Sequence, residues 1–536
     1  VFQSNQTRFT TNDYHRYGGA VYAYQSTPYF RNVTFKYNTA ARSGGAFHAE
    51  NADTNKTITF ERTNFTSNYT DPGESETNQY GGAVYLNNTG KVVFNNSVFD
   101  SNTVNLNCNC DHYAGAIYAS SLYDSLVVRN TKFRYNKVYK PTGNEGGSAR
   151  AGAMYVRARG HFLVTNSIFI GNEAISSTYT HDNGSTSNHN SYGGALMVDL
   201  NNFSNAGGYT YPYKSIFINN TFVDNKSEGS GNNDGHGGAI RYEWEEKTVL
   251  INNIFWGNTA NNTTDTTGRW EIQNLFNNSS VVALVGYNNF QYSAANANSY
   301  GDNNISRDPQ FLLGSGDDKY KLTDASFLIG AGVKTYDSYT APRKDILGES
   351  RPYGSSTSNP DIGAYENALA VTPYPDKVAG LTATAANQSV VLAWTANTET
   401  DLAKYAIYKS TTSGFTPASS DKVGDTESGS IVTYTVTGLT NLTPYYFRVK
   451  AVNTSDQAGE YSSQKTATPV YQGPDWYVAV AASGGSNSNE GSINLPMLKL
   501  SDAVTAASTG HTIHIGSGTH QYTSASNWNI PFDGSK

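Results

Sequence analysis

Two short motifs alternate through the first half of the chain, and a sequence that repeats at such a period has few folds open to it. One motif is Phe-x-x-Asn, at Phe9/Asn12, Phe35/Asn38, Phe65/Asn68, Phe99/Asn102, Phe133/Asn136, Phe169/Asn172, Phe222/Asn225 and Phe255/Asn258. The other is Gly/Ala-Gly-Ala followed by an apolar residue. It ends at Val21, Phe47, Val84, Ile117, Met154, Leu196 and Ile240. The period is mostly about 26–37 residues and lengthens near Asn172 and Asn225.

Each unit reads as short strands and turns. After the Gly-Ala motif, Val21/Ala23 alternate with Tyr22/Tyr24, Val84/Leu86 with Tyr85/Asn87, and Ile117/Ala119 with Tyr118/Ser120. Period two means a strand with one buried face. A second strand precedes each Phe-x-x-Asn, as in Lys91–Phe94. Several strands per repeat, stacked on their own copies about 4.8 Å apart, describe a parallel β-solenoid. Phe then becomes an internal aromatic column and Asn a turn ladder, its amides bonding up and down the stack. Asn32, Asn96, Asn130, Asn166, Asn219 and Asn252 suggest a second such ladder.

The composition agrees with this reading. Charged residues are 15% of the chain, against about 25% in ordinary domains. A like charge facing its copy at ~4.8 Å repels by roughly 0.9 kcal/mol even in water, whereas Asn, Thr, Ser and Tyr stack without that cost. Aromatic residues at 13% and a net charge of −7 argue against disorder and against a nucleic-acid partner. No stretch approaches the ~18 apolar residues of a membrane span. The chain opens at Val1 in polar sequence without Met, which points to a processed product or a piece of something longer. The long insertions, such as Tyr69–Tyr80 and Glu173–Tyr192, gather at one corner of the repeat, where loops form a contact face or simply vary.

The alternation of Phe-x-x-Asn with Gly-Gly-Ala-(Ile/Val/Leu) resembles secreted right-handed parallel β-helix proteins, among them the polymorphic outer-membrane adhesins of chlamydiae. Arg307–Phe311, Tyr320–Leu322, Gly330–Gly332, Arg351-Pro352 and Pro360–Glu366 resemble the closing region of bacterial extracellular β-helix proteins. The resemblance covers residues 1–370 and implies a right-handed parallel β-helix there. After a Pro-rich linker, residues 371–470 resemble a fibronectin type III β-sandwich, with Trp394 in one strand and Tyr445–Ala451 in the strand bearing the fold's corner tyrosine. Residues 471–536 read strand, loop, helix, strand, and resemble the start or cap of a further β-helix. The expected class is all-β.

Coils without a start thus come first, and a start without coils comes last. An open β-helix end exposes unpaired backbone groups. Two arrangements satisfy both ends: the tail of one chain docking on the first coil of the next, or a unit of a longer tandem protein. The expected interface residues are Val1, Phe2 and Phe9 at one end, with Trp476, Tyr477, Val478, Leu498, Leu500, Val504, Ile513 and Ile515 at the other. The expected partner is the chain itself as a head-to-tail homopolymer, with an extracellular polysaccharide or cell surface as a further partner.

Candidate chemistry is sparse. Tyr22, Tyr85, Tyr118 and Tyr155 fall in one outward column, an aromatic stripe suited to sugar rings or a neighbouring fibre, or to plain tyrosine stacking. Two residues further on, Asp199 and Glu243 with Arg157 beside them are the alternative, a carboxylate site of a polysaccharide lyase or glycoside hydrolase. Cys108 and Cys110, beside Asp111 and His112, suit a disulfide or a metal. Asn-x-Ser/Thr sequons, including Asn5, Asn32, Asn64, Asn68, Asn87 and Asn225, are abundant in so Asn-rich a chain, and exposed ones can carry glycans. No catalytic residue and no cofactor is expected. The reading is an extracellular structural fibre or adhesive surface protein, the alternatives being the carbohydrate-active enzyme and a glycan-binding adhesin that does not polymerise.

Overall fold

A computed structural model describes residues 1–7, 16–70, 78–105, 111–140, 147–180, 185–200, 213–230, 235–243, 247–261, 271–273, 283–291 and 301–520, apart from 302, 313, 354–357, 370–373 and 400. The chain forms two compact units, Val1–Pro373 and Tyr374–Lys536.

The first unit is built from parallel sheets in which each strand pairs with the equivalent strand of the next repeat. The largest has nine strands among the described residues, starting at Phe2–Gln3 and ending at Asn289–Phe290. Its register matches Phe to Phe, from Phe2↔Phe35 through Phe133↔Phe169 to Phe255↔Phe290. The rings stack face to face: Phe65 and Phe99 lie 4.6 Å apart at 5°, and Phe133 and Phe169 lie 4.7 Å apart at 1°. Phe2 heads the column, 4.9 Å from Phe35. The expected head, Phe9, lies outside the described residues.

From Asn38 to Asn258 the asparagine three residues after each Phe of the column is buried, its amide bonded to the rungs beside it. In Asn102, Nδ2 donates to Phe65 O at 2.9 Å and to Asn136 Oδ1 at 2.9 Å, and the backbone N–H donates to the same Oδ1 at 3.1 Å. The pattern runs from Asn5 through Asn38, Asn68, Asn102, Asn136, Asn172 and Asn225 to Asn258. Each side chain replaces the water it loses with its own copies, the condition for burying an amide without a penalty of about 1–3 kcal/mol.

The second expected ladder is present in part: Asn166 Nδ2 donates to Asn130 Oδ1 and Asn252 Nδ2 to Asn219 Oδ1, both at 3.3 Å. Asn32, Asn96, Asn130, Asn166, Asn219 and Asn252 all have positive φ, between 48° and 56°. They turn the corner, a conformation Asn tolerates better than other side-chain-bearing residues. A continuous ladder runs one residue further on, through Thr63, Ser97, Thr131, Ser167, Asn220, Asn253 and Asn288, each accepting the backbone N–H of the preceding rung or donating its own to the next. The glycine before each motif alanine has a steric cause. A Cβ on Gly45 would sit 2.0 Å from Gly82 O, and one on Gly82 2.2 Å from Gly115 O. Successive rungs touch there backbone to backbone.

The residues singled out as a closing region clasp the outside of the last rungs. Asn166 Nδ2 donates to Lys344 O, Asn219 Nδ2 to Asp361 O at 3.0 Å, and Asn252 Nδ2 to Val333 O at 2.8 Å. The corner asparagines of three rungs are thereby engaged. Arg351, buried, meets Glu366 at 3.0 Å and donates to Asn166 Oδ1. Burial, and the Glu366 carboxylate beside it, push Asp361 well above the usual carboxylate range.

In the second unit, a three-stranded and a four-stranded antiparallel sheet enclose Trp394, Tyr405, Phe447 and Val449. The Tyr445 hydroxyl accepts the Thr440 N–H at 3.1 Å, fixing the corner. Further on, Asp475–Val478 pairs in parallel with Thr512–Ile515, and Leu500–Ala506 is the helix between them. Trp476, Val478, Ala503 and Ala507 form its small core. The strand–helix–strand order over Asp475–Ile515 is as expected, and residues 521–536 lie outside the described residues.

Candidate functional site

One face of the first unit gathers aromatic and charged side chains into two adjacent columns. The inner one runs Tyr22, His48, Tyr85, Tyr118, Tyr155, Met197, Arg241, in parallel register. Tyr85, Tyr118 and Tyr155 stack 5.3 Å apart within 6° of parallel. The outer one consists of the residues just before each Gly-Ala motif: Tyr17, Ser43, Tyr80, Tyr113, Arg150, Tyr192, His236.

The outer column corrects the expectation of an exposed tyrosine stripe. Tyr118 and Tyr155 are buried, at 7% and 5% exposure, and Tyr22 and Tyr85 are half-buried. Tyr80 covers Tyr118 at 4.7 Å, and Tyr113 meets the edge of Tyr155 at 5.3 Å. Burial pushes the Tyr118 phenol up to about 12, and Tyr85 and Tyr155 higher still. Arg150 lies over Tyr113 on one side and Tyr192 on the other, at 5.5 and 5.1 Å. The outer column was legible as the position before the Gly-Ala motif. Its side chains lean over the inner column because the next residue, glycine or alanine, bends the chain with positive φ, as at Gly81 (61°) and Ala114 (60°).

The alternative acid pair is arranged as follows. Asp199 and Glu243 occupy successive rungs, their N–H groups bonding Val156 O and Val198 O. Asp199 is buried, accepts the Tyr155 hydroxyl at 3.5 Å and meets Arg157 at 3.5 Å. Its carboxylate is tied into the stack. Asp111 accepts the Tyr113 hydroxyl and the Ser148 N–H and pairs with Arg150 at 3.2 Å, and His112 is buried. Cys108 and Cys110 lie outside the described residues. The sequons divide sharply. Asn68 and Asn225 are fully buried in the ladder and closed to glycan transfer, whereas Asn32 and Asn64 are exposed.

The expected interface residues fall into two groups. Val1 and Phe2 are exposed, at 87% and 36%, with Phe2 covered on one ring face by Phe35. In the tail, Trp476 and Val478 are interior, Tyr477, Leu498, Leu500, Val504 and Ile513 are half-buried, and Ile515 is 52% exposed. Trp476, Val478, Leu500 and Ile513 build the tail's own core, because a strand–helix–strand fragment this small has nowhere else to place them. Trp476 Nε1 donates to His511 Nδ1 at 2.9 Å. The free aliphatic surface there is Ile515, with Ile493 and Leu495.

Residues 376–468 match the fibronectin type III domain family. Among solved structures, the chain is similar to the FN1–FN3 domains of chicken CNTN1 (16% identity, 17% of this chain, 31% of that one, TM-score 0.16). It is also similar to an Fn3-like protein from Clostridium thermocellum (23% identity, 18% of this chain, 90% of that one, TM-score 0.14). A third is the Clostridium perfringens spore cortex lytic enzyme SleM (17% identity, 22% of this chain, 37% of that one, TM-score 0.16). This chain thus spans under a third of the first of these structures. No curated protein matches the chain. It is an all-β protein with parallel sheets and a fibronectin type III domain. No helix among the described residues is long and apolar enough to cross a membrane.

Proposed function

We propose that this chain is an extracellular structural or adhesive rod, its first unit a right-handed parallel β-helix and its fibronectin domain a spacer, joined end to end by strand pairing. The pairing of each strand with its counterpart one repeat away supports the β-helix, and right-handed crossovers are the rule for parallel strands. A stack held by buried Phe, Asn and Ser/Thr ladders is stiff along its axis, since bending it parts rings and amides at once.

The observation that carries the joining is the pair of open strand edges. Among the described residues, Phe2–Gln3 is the edge strand of its sheet, its Phe2 ring stacked on Phe35 by one face. Thr512–Ile515 is, among the described residues, the edge of the tail's parallel pair. A parallel strand added to such an edge gains main-chain hydrogen bonds and a place in the aromatic column. The partner is a second copy, or further sequence of the same repeat. A heterologous contact of this kind does not close and propagates as a fibre.

Electron micrographs of the full chain, with sedimentation across a concentration series, test this. The expected result is jointed rods growing with concentration, shortened to single particles by Phe2→Glu or Ile515→Glu with unchanged circular dichroism. Single particles at every concentration overturn the reading.

A further inference from the structure

The outer column has one break. Where its neighbours carry Tyr17 and Tyr80, the intervening rung carries Ser43. Two rungs are ~9.6 Å apart, so the break is one ring deep. Around it lies a cleft of about 260 Å³. Tyr17 leans onto His48 at 4.7 Å and forms one wall, and Tyr80 forms the other. The floor is His48, buried, with Nδ1 3.0 Å from the Ser43 hydroxyl and its ring stacked 4.4 Å from Tyr85.

The rim carries complementary polar groups. Glu50 is half-exposed, 3.6 Å from His48 Nε2, and accepts the Tyr22 hydroxyl at 3.4 Å. Arg42 donates to the Tyr17 hydroxyl at 3.1 Å and lies over that ring. The His48 contact holds Glu50 below the usual carboxylate range, so it is an acceptor at neutral pH. Burial holds His48 below the usual imidazole range despite Glu50, so the floor is uncharged there.

We propose that this cleft binds a single neutral pyranose ring, such as a glycan terminus. Its C–H face lies against a tyrosine ring. Its hydroxyls donate to Glu50 and accept from Arg42, the few placed polar groups that orient a ligand in a mostly preformed pocket. The volume admits one six-membered ring. The ligand replaces the side chain that Ser43 omits. The site stands whether or not rods join end to end.

The test titrates the methyl glycosides of glucose, galactose, mannose and N-acetylglucosamine against the full chain, read by saturation-transfer NMR and tyrosine fluorescence. At least one binds in the millimolar range. Glu50→Gln weakens it about tenfold, the loss of one charge-assisted hydrogen bond. Ser43→Tyr, which completes the tyrosine column, abolishes it while thermal stability holds or rises. If Ser43→Tyr does not fold, Glu50→Gln decides. Binding by none of the four sugars, binding that survives Ser43→Tyr in folded protein, or no effect of Glu50→Gln overturns the proposal.

Discussion

The asparagine ladder and the tyrosine–arginine face belong to the same stack and obey different rules. In the ladder the same residue recurs on eight successive rungs, Asn5 to Asn258, each but the outermost buried. On the tyrosine face the columns change from ring to histidine, arginine and methionine. An interior column tolerates only side chains that satisfy one another above and below. A partly open column accepts charge if the next rung supplies the opposite sign. Asp100 registers against Arg134, with an ion pair of 2.6 Å. Lys137 registers against Glu173 at 2.8 Å, and Glu173 in turn against Lys226. Low overall charge is thus one answer to stacking, and alternation of sign is the other.

The comparison breaks most severely at the ladder. Asn136→Asp places a carboxylate where Asn172 Oδ1 faces it, with no cation to pair it, and is expected to prevent folding at neutral pH. Asn136→Ala strands the Asn102 donors and the Phe99 carbonyl, costing about 3–5 kcal/mol in urea unfolding. A loss below ~1 kcal/mol would mean the ladder is incidental. Phe133→Ala, between Phe99 and Phe169, is expected to cost about 3–5 kcal/mol by the same assay.

At the end of the ladder Glu271 sharpens the contrast by pH. It is fully buried against Asn258 and Gln291, and burial raises its carboxyl well above the usual range. The folded state therefore keeps a proton that the unfolded chain releases near pH ~4.3. Its stabilisation is complete below that pH and is lost as pH rises toward the folded pKa. Melting curves from pH 4 to 8 should fall for the natural chain and fall less steeply for Glu271→Gln, the remaining slope belonging to Asp361. Parallel curves would place the proton elsewhere.

The smallest effect belongs to the open side. A double-mutant cycle on Asp100 and Arg134, both about one-quarter exposed, should give a coupling of about 0.5–1 kcal/mol that shrinks with salt. Coupling as large as the Asn136→Ala loss would erase the distinction between the two columns.

Much of this was legible from spacing. Phe-x-x-Asn located both interior columns, and the alternation after Gly-Ala assigned Val84, Leu86, Ile117 and Ala119 to the interior, all fully buried. The second ladder was read only in part: Asn130 with Asn166 and Asn219 with Asn252 bond across rungs, but the continuous ladder runs one residue further on. A corner Asn with positive φ and an interior Thr or Ser beside it look alike in sequence, and only the backbone direction at the corner separates them. The exposed stripe was misread because strand alternation says which way Tyr118 leaves its own sheet. It does not say that Tyr80, thirty-eight positions earlier, folds over it.

The sequence by itself determined the period, the neutral interior and the residues that face their own copies, because stacking at a fixed spacing makes each column a local rule repeated. The tertiary structure alone decided which columns are covered, which corner asparagines the segment around Val333–Gly363 clasps, and where one missing ring opens a cleft. Those outcomes depend on how adjacent columns lean across a corner, a matter of three-dimensional angle that no spacing along the chain encodes.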